Sequence, residues 1–146
     1  MIPRQYRIHV VLMISAALMI IMPLLNEKPD ADKAELATAA ASEFLKMIDT
    51  DHYESSWRLS AKLMQERIPM DKWQEQLVAI RKTLGPLVKR EQKDISYATV
   101  AKDSPDGEYI QIFYDSRFGA NPKVEETLTV MLDADGQWRV AGYFVQ

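Results

Sequence analysis

Leu128-Thr129-Val130-Met131-Leu132-Asp133-Ala134-Asp135-Gly136-Gln137-Trp138-Arg139-Val140-Ala141-Gly142-Tyr143-Phe144-Val145 is the stretch that decides the fold. Apolar residues alternate on both sides of Asp135-Gly136, a dipeptide that tolerates the backbone angles of a tight hairpin turn. The spacing predicts a strand from Glu126 to Asp133, with Leu128, Val130 and Leu132 on one face, and another from Trp138 to Val145. Reading back toward the amino end, Asn121-Pro122 predicts a turn, and Tyr109 to Phe118 an aromatic, β-branched strand. Ile110, Ile112 and Tyr114 share one of its faces, opposite Tyr109, Gln111 and Phe113. Ser104-Pro105-Asp106-Gly107 is a further turn, and Val88 to Val100 a first strand, irregular around Lys93-Asp94. Four strands joined by short turns make an antiparallel meander.

Upstream of Gly85-Pro86, a stop signal, the period changes to that of a helix. Ala37, Ala40, Ala41, Phe44, Leu45 and Ile48 mark one buried face of a helix from Asp32 to about Thr50. Tyr53, Trp57, Ala61 and Met64 step by three or four along a second helix. Pro69 ends it, and Asp71 is placed to cap a third helix carrying Trp73, Leu77, Ile80 and Leu84. Helices collected before strands imply an α+β domain, two or three helices packed on one face of a four-stranded antiparallel sheet.

Ahead of this domain, Arg4 and Arg7 precede an apolar run of 18 residues, Ile8 to Leu25, interrupted only by His9, Ser15 and Pro23. A helix needs about 17–25 apolar residues to cross a bilayer, so residues 8–25 are expected to form a transmembrane signal-anchor. Positive charge before the run and acidic excess after it put residues 1–7 inside and the carboxyl end outside. The expected location is the bacterial inner membrane, single-pass, with the domain of residues 34–146 in the periplasm. The alternative is a cleaved signal peptide and a periplasmic soluble protein. The small residues Ser15-Ala16-Ala17, however, lie in the middle of the run rather than after it. Residues 26–33 are a polar linker; Glu27 to Lys33 span about 25 Å fully extended, which would keep the domain near the bilayer.

Composition narrows the partners. From Asp30 onward, 15 Lys+Arg stand against 20 Asp+Glu, a balance of −5. A mildly acidic domain of interspersed signs is a poor nucleic-acid binder, because phosphate binding needs clustered cations. With no cysteine, disulfides, thiolate catalysis, thiolate metal sites and a lipidated cysteine anchor are all excluded. The five glycines form no phosphate-binding loop, and Ser55, Ser56 and Ser60 sit in no nucleophile elbow.

Several spacings coincide with a known family. Phe44-Leu45-x-x-Ile48-Asp49, Tyr53-x-x-x-Trp57, Trp73, and Arg81-x-x-x-Gly85-x-x-x-x-Arg90 fall in one order. Pro105-Asp106-Gly107-Glu108-Tyr109, Glu126-Thr127 and Trp138-Arg139-Val140-x-Gly142-Tyr143 follow. This pattern, over about Ala34 to Gln146, resembles the bacterial domain-of-unknown-function family 4019. The resemblance implies a small exported or tethered domain, similar in shape to the cystatin-like and nuclear-transport-factor-2-like cones, whose curved sheet wraps a helix. It implies no activity and transfers no catalytic residue.

Candidate chemistry therefore rests on the residues themselves. His52 beside Asp49 and Asp51 has the makings of a general base or metal site, but helix capping accounts for all three. Arg81 and Arg90 with Glu126 form a stronger set. Arg81 is expected to reach the sheet and meet Glu126, as an ion pair fixing helix to sheet or as part of an anionic-ligand site, with Tyr109 and Tyr143 as further lining. The aromatic residues, including Trp57, Trp73 and Trp138, have core spacing. No cofactor or metal is called for. Two function classes follow: a non-enzymatic protein- or ligand-binding or scaffold module of the envelope, and, as the alternative, a small cone-fold enzyme of isomerase or dehydratase type using Glu126 as cavity carboxylate.

Overall fold

The computed structural model describes residues 27–146. The expected inside segment 1–7 and anchor 8–25 lie outside these residues. Among the described residues no helix is long and apolar enough to cross a membrane.

Among the described residues four helices precede four strands: α1 (Ala31–Asp49), α2 (Tyr53–Arg58), α3 (Lys62–Arg67), α4 (Met70–Leu84), then β1 (Leu87–Ala98), β2 (Tyr109–Phe118), β3 (Asn121–Leu132) and β4 (Trp138–Val145). The strands pair antiparallel in sequence order, so the α+β meander is as the periodicity demands. The α1 stripe of Ala37, Ala41, Phe44, Leu45 and Ile48 is buried against the helix-facing side of the sheet, where Ile110, Ile112, Leu128, Val130, Val140 and Tyr143 lie. Trp73 of α4 joins this core, its ring 5.8 Å from that of Phe44, and its indole N–H donates to Ser56 Oγ at 3.0 Å. Burying an aromatic of this size with its one polar atom satisfied makes it a strong contributor to the core.

Three local expectations are corrected. The expected second helix is two short helices, because the chain breaks at Ala61, whose N–H donates to Val140 O on β4 at 2.7 Å. That strand carbonyl replaces a helical acceptor, so the helix cannot run through. Asp71 makes no capping bond; Pro69 occupies the N-cap position of α4 and Asp71 sits in the first turn. The β2–β3 turn is Gly119-Ala120 rather than Asn121-Pro122, which lie at the start of β3, with Phe118 paired to Asn121. Helix α4 explains the turn position. Gly119 N–H donates to Pro86 O at 2.8 Å and Ala120 N–H to Leu84 O at 2.9 Å, so the end of α4 docks on the hairpin tip. The approach is close enough that a Cβ on Gly119 would lie 3.0 Å from Pro86 Cδ.

The irregularity at Lys93-Asp94 is real: the β1–β2 register shifts between Gln92 and Asp94. The shift lets Arg90 and Gln92 share the helix-facing side with Ile95 and Tyr97, although their numbers differ in parity. At the β3–β4 hairpin Gly136 takes a positive φ of 82°, and Arg139 holds Asp133 and Asp135 at 3.0 and 2.7 Å. On the free edge of β1, Tyr97 N–H donates to Glu27 O at 2.8 Å, and Lys28 pairs with Asp94. The segment before α1 is therefore fastened to the sheet.

Candidate functional site

The helix-facing side of the sheet is apolar except at one end, where its alternation places Arg90 (β1), Tyr114 and Ser116 (β2) and Glu126 (β3) on the same side. Helix α1 ends above them with Asp49, and α4 contributes Arg81. Glu126 has no exposed surface, and a buried carboxylate is tolerable only when its lone pairs are filled. They are. Arg90 Nε donates to Oε1 at 2.7 Å and Nη2 to Oε2 at 3.0 Å. Ser116 Oγ donates to Oε1 at 2.5 Å, and the Tyr143 hydroxyl donates to Oε2.

Arg90 also binds Asp49 in two-pronged fashion, Nη1 to Oδ2 at 2.7 Å and Nη2 to Oδ1 at 3.1 Å. Burial opposes the Arg90 charge and is the largest single influence on it. The hydrogen bonds to Asp49 and Glu126, with the charges of both, outweigh it and raise its pKa above the ordinary value. Burial pushes the Tyr143 hydroxyl well above the usual tyrosine value, and the Glu126 charge adds to this. Tyr143 is thus a neutral donor at any physiological pH.

The expected Arg81–Glu126 pair is not formed. Arg81 Nη2 lies 2.9 Å from Asp49 Oδ1, but out of line for a hydrogen bond, and its Nε has no hydrogen-bond partner. Its guanidinium instead stacks 5.1 Å from the centre of the Phe118 ring. Of the residues singled out from sequence, Arg81, Arg90, Glu126 and Tyr143 come together. Tyr109 does not: it points to the opposite side of the sheet, buried with Ala61, Ala101, Met131 and Ala141.

Asp49 was expected to cap the next helix, yet its carboxylate serves the two arginines, and α2 has no side-chain cap at all. Asp51 accepts from the Tyr53 hydroxyl at 2.8 Å, and His52 Nδ1 contacts Thr50 Oγ1 at 2.8 Å. Among the described residues no cluster of three His, Cys, Asp or Glu side chains is placed to hold a metal. Sequence reasoning missed Ser116 and Tyr114. Their parity with Ile110 and Ile112 was the available signal.

Beside the ion cluster an open cleft of about 370 Å³ separates α1 from β1, bordered by Ser42, Lys46 and Asp49 on the helix and Arg90, Gln92 and Tyr114 on the sheet. The Tyr114 hydroxyl is buried and has no hydrogen-bond partner among the described residues. Burial pushes its pKa up to about 12, with Arg90 pulling it down and Glu126 adding to the rise.

No curated protein matches the chain. Residues 40–143, most of the chain and the whole of the ion cluster, match the family described as Protein of unknown function (DUF4019), and the chain belongs to that family.

Proposed function

We propose that this protein is a membrane-tethered module of the bacterial envelope that binds a protein partner or small ligand without transforming it. The anchor in this reading is the apolar run 8–25, with Arg4 and Arg7 on the inner side and the folded domain in the periplasm. The bonds of Glu27 and Lys28 to β1 shorten the free tether further and keep the domain near the bilayer. In shape, helices on one side of a four-stranded meander are akin to the cystatin-like and nuclear-transport-factor-2-like cones, a scaffold that fixes no function.

One observation favours binding over catalysis. A carboxylate offers about four lone-pair sites, and Glu126 has two donors on each of its oxygens. A general base needs a free lone pair facing its substrate. Glu126 is the carboxylate that a cone-fold isomerase or dehydratase would use, and here it is occupied by its own protein. Protease treatment of spheroplasts tests the placement. Digestion of the domain from outside, with a tag before Arg4 protected, is the expected result; protection of the whole chain would overturn it.

A further inference from the structure

We propose that the cleft between α1 and β1 is a binding site for a carboxylate group, carried by a small organic acid or by the free C-terminus of a peptide. The inference rests on the binding-module reading above and names the chemistry that the module would recognise.

The cleft is built of unspent donors. The Tyr114 hydroxyl is 94 % buried by residue and has no partner. A buried hydroxyl left unbonded is costly, and native proteins keep few of them. Arg90 spends four of its five N–H groups on Asp49 and Glu126, which leaves one Nη1 hydrogen. Ser42, Lys46 and Gln92 stand exposed along the rim of the cleft, where their side chains can donate to a ligand in place of water.

Charged acceptors are scarce by comparison. Asp49 is the carboxylate at the cleft, and both its oxygens already face arginine nitrogens. A cation would be repelled there by Lys46, Arg81 and Arg90. The charges at the cleft and directly behind it, Lys46, Arg81 and Arg90 against Asp49 and Glu126, leave one positive in excess, in a domain otherwise acidic. That excess suits a monoanion. A phosphate group, at about −1.5 to −2, exceeds it. A carboxylate meets the donors two ways: one oxygen toward Tyr114 and the spare Arg90 N–H, the other toward Lys46 at the rim. At neutral pH the Tyr114 hydroxyl holds its proton, and because the atom is covered, a bound carboxylate reaches it by a small shift of the side chains over it. Because the cleft is open and one excess charge drives the binding, affinity for a minimal ligand should be on the order of millimolar.

The test uses the isotope-labelled full chain in a non-ionic detergent. Sodium acetate is titrated against sodium chloride at constant ionic strength, followed by a pentapeptide with a free C-terminus and its C-terminal amide. The expected result is a saturable shift of the Ser42, Asp49, Gln92 and Tyr114 amide resonances and of Arg90 Nε–H. Tyr114→Phe and Lys46→Gln, both folded, should weaken it about tenfold. Tighter binding of the free peptide than of acetate, with the amide inert, assigns the source to a chain terminus; equal binding assigns it to a small acid. Acetate that leaves these resonances at their chloride positions, or Tyr114→Phe binding as well as wild type, overturns the proposal. Neither outcome touches the tethering of the domain, which protease accessibility reads independently.

Discussion

Arg90 on β1 grips Glu126 on β3 through two hydrogen bonds, 2.7 and 3.0 Å, although β2 lies between the two strands. Neighbouring strands are about 4.8 Å apart, so the contact spans two strand spacings and needs the longest side chain available. Removing Arg90 leaves Glu126 as an uncompensated buried charge, whereas Arg90 without Glu126 would keep Asp49. Arg90→Met should therefore cost about 3–5 kcal/mol, and Arg90→Lys should rescue little because an ammonium cannot fork. The pair replaced together, Arg90→Met with Glu126→Leu, should recover most of that loss. A double-mutant cycle by urea unfolding checks this, and additive losses would show that the two residues do not act as a pair.

Ser116 is the register partner of Arg90, so the guanidinium passes over a small side chain on its way to Glu126. Ser116→Ala removes one hydrogen bond to the carboxylate and should cost about 1–2 kcal/mol. Ser116→Leu fills the path and should cost more than Ser116→Ala by at least a further ~1 kcal/mol. Thermal unfolding of both variants reads the difference; equal losses would mean that the path is not tight.

Stability should fall on the alkaline side. The Tyr114 hydroxyl is raised from about 10 to about 12 by burial, so the folded chain holds its proton more tightly than the unfolded chain. The contribution is intact below pH 10, erodes as pH rises from there, and is gone above the folded value. Tyr114→Phe should flatten this limb of a Tm-versus-pH curve. At pH 7 it should be at least as stable as wild type, since the hydroxyl it removes has no partner. An unchanged alkaline slope would contradict the assignment.

Gly85 ends α4 at a φ of 77°, and a Cβ there would meet Ala120 N at 3.1 Å. Gly85→Ala combines left-handed strain with a backbone clash at the hairpin tip, and should cost about 1–2 kcal/mol or more. Gly136→Ala has the same sign of φ, but its Cβ would meet nothing within 4 Å, so it should cost less. Comparing the two by chemical denaturation separates strain from clash.

The strands were legible because β2 and β3 repeat every second residue and the turns around them carry Gly, Asp and Pro, whereas in β4 a register shift puts Val140 and Tyr143 on one side. The irregularity in β1 was legible too, since the polar run from Lys89 to Asp94 gives way to alternation only at Ile95-Ser96-Tyr97. Helix caps and the break at Ala61 were not, because each depends on a tertiary acceptor: Val140 O for the break, and two arginines for the carboxylate of Asp49. Glu126, Arg81, Arg90 and Tyr143 were marked by residue type on otherwise apolar faces. Which arginine takes which acid was not marked, since Arg81 and Arg90 differ in reach by the geometry of α4 and β1 rather than by any local pattern. Asp49 falls four residues after Leu45 on the buried stripe of α1, a hint that capping propensity masked.

Binding without catalysis at the envelope is tested most directly by photocrosslinking the full chain in intact cells from the exposed positions Leu36 and Val78, with Glu126→Gln alongside. The predicted result is a discrete adduct in the membrane fraction that persists in Glu126→Gln. A chain recovered in the soluble cytosolic fraction, or an adduct replaced by a small-molecule turnover that Glu126→Gln abolishes, would contradict it.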